Sequence, residues 1–193
     1  MKEVILASNN KHKIKEYKVI LECMDIKVIS QQEAGIDIEV EETGKTFKEN
    51  ALLKAKAIYD KVHKAVISDD SGLIIDYLDG MPGVYSHRFL GEDTPYEEKC
   101  NKVIQMLENA KEDERTARFV CDICYIDENG ENHIFEGVCE GTISNKIMGV
   151  NGFAYDRIFL YDNDKTFAQM SEEEKDKISH RRRAIDKFVE YLK

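Results

Sequence analysis

The chain has 193 residues, of which 42% are hydrophobic and 34% charged, with a formal net charge of -10. That size and balance place it among soluble globular proteins, as one ordinary domain or a two-lobed one able to bury a real core. They argue against bulk binding to nucleic acid, which depends on neutralising phosphates, and no apolar run approaches the roughly 20 residues needed to cross a bilayer.

The opening apolar stretch is too short for a signal peptide and reads as a first strand, so a cytoplasmic protein without nucleic-acid or membrane partners is expected. Residues 4–7 form that strand. Ser8, Asn9 and Asn10 make a turn, and a helix follows with Ile14, Tyr17, Ile20, Leu21 and Met24 on one face. This strand-turn-helix order puts Ser8, Asn9, Asn10, Lys11 and Lys13 where a ligand would meet backbone N–H groups. Thr46 and Glu49 have capping-box spacing for a second helix, whose inner face carries Phe47, Ala51, Ala55, Ile58, Tyr59 and Val62.

Residues 65–68 read as a short strand ending in Asp69-Asp70-Ser71-Gly72, and residues 73–77 continue extended. Asp79-Gly80-Met81-Pro82-Gly83 is dense turn chemistry. A third helix starts at Thr94-Pro95, with Pro95 at its first position and Cys100, Val103, Ile104 and Leu107 on its apolar face. Residues 117–126 and 132–140 are strands joined through Glu128-Asn129-Gly130, a hairpin signal. Residues 157–161 are a further strand. A closing helix turns Ala184, Ile185, Phe188, Val189 and Leu192 inward. Mixed elements with a hairpin favour an α/β fold with a mixed sheet flanked by helices over a purely parallel sheet. No linker, repeat or low-complexity tract divides the chain, so one domain over residues 1–193 is expected.

The cysteines are Cys23, Cys100, Cys121, Cys124 and Cys139. An odd number without an export signal argues against a disulfide framework. Cys121 and Cys124 have CxxC spacing, but on a strand residues three apart point to opposite faces.

Paired carboxylates such as Asp69-Asp70 can hold Mg²⁺, although Asp residues at strand ends also commonly cap loops. Glu41 and Glu42 form a second acidic pair. The run from Glu174 through Lys175 to His180 and Arg181 concentrates cations at the start of a helix. The helix dipole disfavours cations there, so an anionic ligand such as a polyphosphate is one explanation. Ser179 is a plausible cap for that helix. Arg182 and Arg183 are expected to face solvent or to act only through their local field. Phe153 and Tyr155, between Gly149, Gly152 and Asp156, could stack on a flat base or be core residues.

Six blocks together resemble the inosine triphosphate pyrophosphatase family, the non-standard purine nucleoside triphosphate pyrophosphatases. They run in order over nearly the whole chain: Ala7 to Glu16, Glu41 to Ala51, Ser68 to Leu73, Gly80 to Ser86, Gly152 to Asp156, and Glu174 to Arg181. The resemblance implies hydrolysis of ITP, dITP and XTP to the monophosphate and pyrophosphate. It also implies Mg²⁺ dependence, a homodimer, and an elongated mixed-sheet α/β fold with an active-site cleft between two lobes. It assigns Asp70 as proton acceptor and metal-binding carboxylate, Glu41 as the other metal-associated acid, and Lys13 to the catalytic set. Ser8, Asn9, Asn10, Lys11, His12, Lys13, Ser71 and Lys175 match phosphate and substrate contacts. Phe153, Ala154, Tyr155, Asp156, His180 and Arg181 match the base-recognition region.

The chain departs from the family at Ala154 and Arg157, where relatives usually have glycine and proline, and at Ser8-Asn9-Asn10, where many have Thr-Gly-Asn. A 6-keto group distinguishes hypoxanthine and xanthine from adenine, but guanine shares it, so rejection of GTP needs a further feature. A pyrophosphatase acting on modified pyrimidine triphosphates, and a nucleotide-binding regulator without turnover, are the competing readings.

Overall fold

A computed structural model describes residues 2–193. Seven strands form one sheet in the order β2-β1-β3-β4-β5-β6-β7. They are β1 (Lys2–Leu6), β2 (Ile26–Ser30), β3 (Val66–Ile75), β4 (Thr116–Ile126), β5 (Asn132–Ile143), β6 (Phe159–Tyr161) and β7 (Lys165–Thr166). The helices are α1 (Lys11–Glu22), α2 (Phe47–Val62), α3 (Tyr96–Met106), α4 (Glu172–Ile178) and α5 (His180–Leu192). β1 pairs in parallel with β2 and β3, while β5-β6 and β6-β7 are antiparallel, so the sheet is mixed as expected.

The chain divides into two compact units. The first holds residues 2–70, 121–136 and 184–193, and the second holds residues 71–120 and 137–183. In the first unit the two-residue period of the strands sends alternate side chains into two cores. Val4, Leu6, Ile67, Cys121 and Ile123 pack with Tyr17, Ile20 and Leu21 of α1 and with Ala184, Ile185 and Phe188 of α5. Ile5, Ala7, Val66, Cys124 and Ile126 instead pack with Ala51, Ala55 and Ile58 of α2. Cys121 and Cys124 therefore lie on opposite faces of β4, and all five cysteines are free thiols. The second unit has its own core, in which Cys100, Val103 and Leu107 of α3 meet Leu73, Ile75, Phe119, Ile143, Phe159 and Phe167. Burying each large aliphatic or aromatic side chain contributes about 1.5–3 kcal/mol, so each unit's core is substantial.

Several local expectations shift. The interrupted strand expected around residues 65–77 is one ten-residue strand, β3, with Asp69 and Asp70 in its interior rather than at its end. Its polar residues mimic turn chemistry, but each finds a partner inside the protein. The first helix ends at Glu22, leaving Met24 exposed. Pro95 caps α3 instead of opening it. The last strand of the expected set shortens to β6, and β2, β7 and α4 were not anticipated. β2 is a five-residue strand and β7 only two residues long. α4 starts at a capping box between Ser171 and Glu174.

Candidate active site

The polar interior of β3 is the centre of the site in the first unit. Asp70 is 7% exposed, and its Oδ2 accepts a 2.9 Å hydrogen bond from Asn50 Nδ2. Asn50 is itself fully buried and accepts the Gly44 N–H at 2.8 Å, which ties the loop ahead of α2 to the carboxylate. Gly44 is required there, because a Cβ would stand 2.6 Å from Asn50 Oδ1. Thr46 caps α2 by accepting the Glu49 N–H at 3.1 Å, while the Glu49 carboxylate turns to the Lys45 N–H at 2.6 Å. The capping box foreseen in the sequence is thus half formed, with Glu49 holding the loop one residue earlier.

Lys54, one helical turn after Asn50, presents its ammonium 3.5 Å from Asp70 Oδ1 and 2.5 Å from Glu42 Oε1. Burial alone would lower the Lys54 pKa, but the charges of Asp70 and Glu42 override it and hold it above the ordinary value. Burial pushes the Asp70 pKa up. Lys54 opposes that, Glu42 adds to it, and Lys13 and the Asn50 hydrogen bond pull it down, leaving a net rise. A carboxyl raised in this way is a stronger base once ionised. Lys13, on α1, lies 2.9 Å from Asp69 Oδ2, whose side chain is wholly buried. Asp69 Oδ2 also accepts from the Cys121 thiol at 3.7 Å.

The glutamate that pairs with Lys54 is Glu42. Glu41 is exposed, whereas Glu42 is partly buried and carries the ion pair to Lys54. The donor set is hard oxygen with two negative charges, and one ammonium already stands against both. That chemistry suits a divalent cation, which Asp70 and Glu42 could hold.

At the start of α1, Asn10 is the cap. Its Oδ1 accepts the N–H groups of His12 and Lys13 at 3.0 and 3.2 Å, and Ser8 Oγ accepts the Asn10 N–H at 3.2 Å. Two of the first-turn donors expected to meet a ligand are therefore taken by the cap. Asn9, Lys11 and His12 are exposed beside it.

The second unit carries the aromatic loop. Asp156 organises it. Its Oδ2 accepts the Phe153 N–H at 2.8 Å and pairs with Lys175 Nζ at 2.6 Å, both side chains being nearly inaccessible. Gly152 has φ +71°, and a Cβ there would stand 2.1 Å from Asp156 Oδ2, so the carboxylate closes against bare backbone. Lys175 also lies 4.7 Å from the centre of the Phe153 ring. Ala154 has φ +54°, the left-handed conformation that glycine adopts without strain.

Tyr155 is a core residue. It is 1% exposed, its hydroxyl donates to the Ser86 carbonyl at 2.9 Å, and its ring meets Tyr96 edge-on. Its ring is therefore closed off in the core, whereas the Phe153 ring is partly exposed. Ser179 caps α5 as anticipated, accepting the Arg182 N–H at 3.1 Å. His180 is buried and stacks on Phe119 at 4.8 Å, and buried Arg181 donates to Ser71 Oγ at 3.1 Å. Arg183 is exposed and donates to the Val138 carbonyl, whereas Arg182 is only partly exposed.

Sequence reasoning missed Asn50, Lys54 and the role of Asp69. A signal existed for the first two. Phe47, Asn50, Ala51, Lys54, Ala55 and Ile58 share one helical stripe, and an Asn and a Lys inside an apolar stripe need a polar partner opposite. It also missed Asp122 on β4. Burial pushes that carboxyl up to about 6, with Glu136 and Asp70 adding and Lys48 opposing.

The sequence model of the Ham1 family matches residues 4–191. A curated dITP/XTP pyrophosphatase of Clostridium perfringens is 45% identical over 200 residues, spanning 100% of this chain and 98% of that protein. One from Bacillus subtilis is 46% identical over 193 residues, with coverage of 100% and 98%. Among solved structures, the Ham1 protein of Staphylococcus aureus superposes with a TM-score of 0.90 at 44% identity, covering 99% of this chain and 98% of that one. A HAM1 protein from Coxiella burnetii gives 0.91 at 38% identity, covering 100% and 98%. Full-length matches at these identities, on a fold with the same mixed sheet, mean that this chain belongs to the Ham1 family.

Proposed function

We propose that this protein is a Mg²⁺-dependent hydrolase of non-standard purine nucleoside triphosphates. It would cleave ITP, dITP and XTP between the α- and β-phosphates. The observation that carries the reading is the buried Asp70 carboxylate, oriented by Asn50 and flanked by Lys54, Glu42 and Lys13. The dITP/XTP pyrophosphatase names of full-length relatives support the same activity.

In this reaction Asp70 accepts a proton from a water whose oxygen attacks the α-phosphorus. The bond from that phosphorus to the bridging oxygen breaks, and the pair of electrons leaves with pyrophosphate. Lys13 and Lys54 offset the negative charge of the triphosphate as it concentrates on the leaving group. Asp70 and Glu42 would hold Mg²⁺, which supplies charge neutralisation on the phosphate oxygens. Ser8, Asn9, Asn10, Lys11 and His12 are the assigned phosphate-side contacts at the start of α1.

Phe153 is the surface on which the base stacks, and the Asp156–Lys175 pair sets the loop that carries it. Ala154 belongs to that loop's backbone, while Tyr155 anchors it to the core. Ser71, held by Arg181 at 3.1 Å, and the adjacent His180 are read as substrate contacts on the family resemblance. A buried donor facing the 6-keto position would leave the amino group of adenine unpaired. Such a mismatch costs about 1–3 kcal/mol, or roughly 5- to 150-fold in selectivity.

The protein would act in the cytoplasm as a homodimer. Exposed Tyr77, Met81, Tyr85 and Leu90 in the second unit are apolar side chains suited to a subunit contact. The test is pyrophosphate release from ITP, dITP, XTP, ATP, GTP, dTTP and UTP, with and without Mg²⁺. Metal-dependent release confined to the first three is expected. Equal rates across the panel, or release without metal, would defeat the proposal. Light scattering at micromolar concentration tests the dimer.

A further inference from the structure

We propose that the Lys54 ammonium is a built-in placeholder for the divalent cation. It would hold Glu42 and Asp70 together in the metal-free protein, compete with Mg²⁺ for both carboxylates, and be displaced when Mg²⁺ enters. The inference rests on the reading of Asp70 and Glu42 as the metal-holding pair.

The geometry is specific. The two oxygens of Asp70 are divided between two groups of one helix face: Oδ2 takes Asn50 Nδ2 at 2.9 Å, and Oδ1 faces Lys54 Nζ at 3.5 Å. Residues 50 and 54 are one turn apart on α2, so the group that orients the carboxylate and the cation that neutralises it are fixed together. The same ammonium reaches Glu42 Oε1 at 2.5 Å, with the side chains of Lys54, Glu42 and Asp70 only 15%, 25% and 10% exposed. One lysine thus answers two carboxylates that would otherwise repel in a poorly hydrated place.

An ammonium donates hydrogen bonds, whereas Mg²⁺ needs oxygen ligands at about 2.1 Å in near-octahedral array. The two compete for the same pair of oxygens, and two cations at this range repel. On this proposal metal binding displaces the ammonium, and the affinity measured for Mg²⁺ contains that exchange.

The experiment is calorimetric titration of MgCl₂ into the nucleotide-free full chain, comparing wild type with Lys54→Met, Lys54→Arg and Asp70→Asn. Lys54→Met keeps length without charge and is expected to bind Mg²⁺ at least tenfold more tightly, which corresponds to about 1.4 kcal/mol. Lys54→Arg keeps the competing charge and should stay near wild type. A packing role for the side chain would not separate Met from Arg in this way. Equal, weaker or undetectable binding by Lys54→Met overturns the placeholder.

Asp70→Asn should abolish binding. If it leaves Mg²⁺ binding intact, the assignment of the metal to Asp70 fails instead, so the two failures are distinct. A second readout needs no variant. Acetylation of Lys54 in wild type, followed by mass spectrometry, should rise when Mg²⁺ is added, because the ammonium is released. Unchanged labelling would also overturn the proposal.

Discussion

Replacing Lys175 by methionine tests whether the Asp156–Lys175 pair sets the aromatic loop. The side chain keeps its length and loses its charge. Asp156 then remains buried at 3% exposure and keeps the Phe153 N–H while losing an ammonium at 2.6 Å. Removing one partner of a buried pair costs about 3–5 kcal/mol. The ring contacts of the ammonium to Phe153 and Phe167, at 4.7 and 5.6 Å, add about 1 kcal/mol. A total loss of about 4–6 kcal/mol lowers Tm by roughly 8–24 °C in a chain of this size.

The double variant Asp156→Asn/Lys175→Met buries no unpaired charge and should recover at least about 2 kcal/mol relative to the sum of the single changes. Urea unfolding of the four proteins measures this coupling. Steady-state kinetics with XTP should show KM rising more than kcat falls, since Phe153 loses its support while Asp70 does not. Additive stability effects, with coupling under about 0.5 kcal/mol, would refute the reasoning.

Asp122 gives a pH dependence. Its carboxyl is held near about 6 in the folded chain by burial, against about 3.9 when free. Between those values the folded state binds more protons, so stability falls as pH rises through the window. Asp122→Asn should flatten that slope and raise stability at pH 7, and an unchanged slope in urea titrations from pH 4 to 7 would contradict it. Ala154→Gly relieves the left-handed backbone at φ +54°. It should stabilise by up to about 1 kcal/mol after the entropy of glycine is counted, read as a rise in Tm. Gly44→Ala puts a methyl group 2.6 Å from Asn50 Oδ1 and 2.7 Å from Glu49 Cβ. By disturbing the support of Asp70 it should lower kcat about 10- to 100-fold, and wild-type kcat would show that the loop tolerates the shift.

The mixed sheet and most helices were legible because their apolar periods are clean, as in α2 and α5. Asp69 and Asp70 misled the strand assignment because an Asp pair followed by Ser-Gly is ordinary turn chemistry. Only tertiary partners, Lys13 for Asp69 and Asn50 for Asp70, keep them extended and buried. Which glutamate pairs with Lys54 was not legible, since two adjacent glutamates differ only in which one the loop turns toward that lysine. Tyr155 read equally well as stacking surface or core, and its hydroxyl bond to Ser86 and edge contact with Tyr96 decide for core. Lys54 escaped notice because a single lysine on a helix is usually solvated, and its meaning depends on two carboxylates distant in sequence.

The central claim is that Asp70 activates a water for attack at the α-phosphorus. It is tested most directly by hydrolysing XTP with Mg²⁺ in heavy-oxygen water. Mass spectrometry of the products should find the label in the monophosphate and none in pyrophosphate, with turnover lost in Asp70→Asn while nucleotide binding persists. Label in pyrophosphate, inorganic phosphate as the first product, or undiminished turnover by Asp70→Asn would contradict the account.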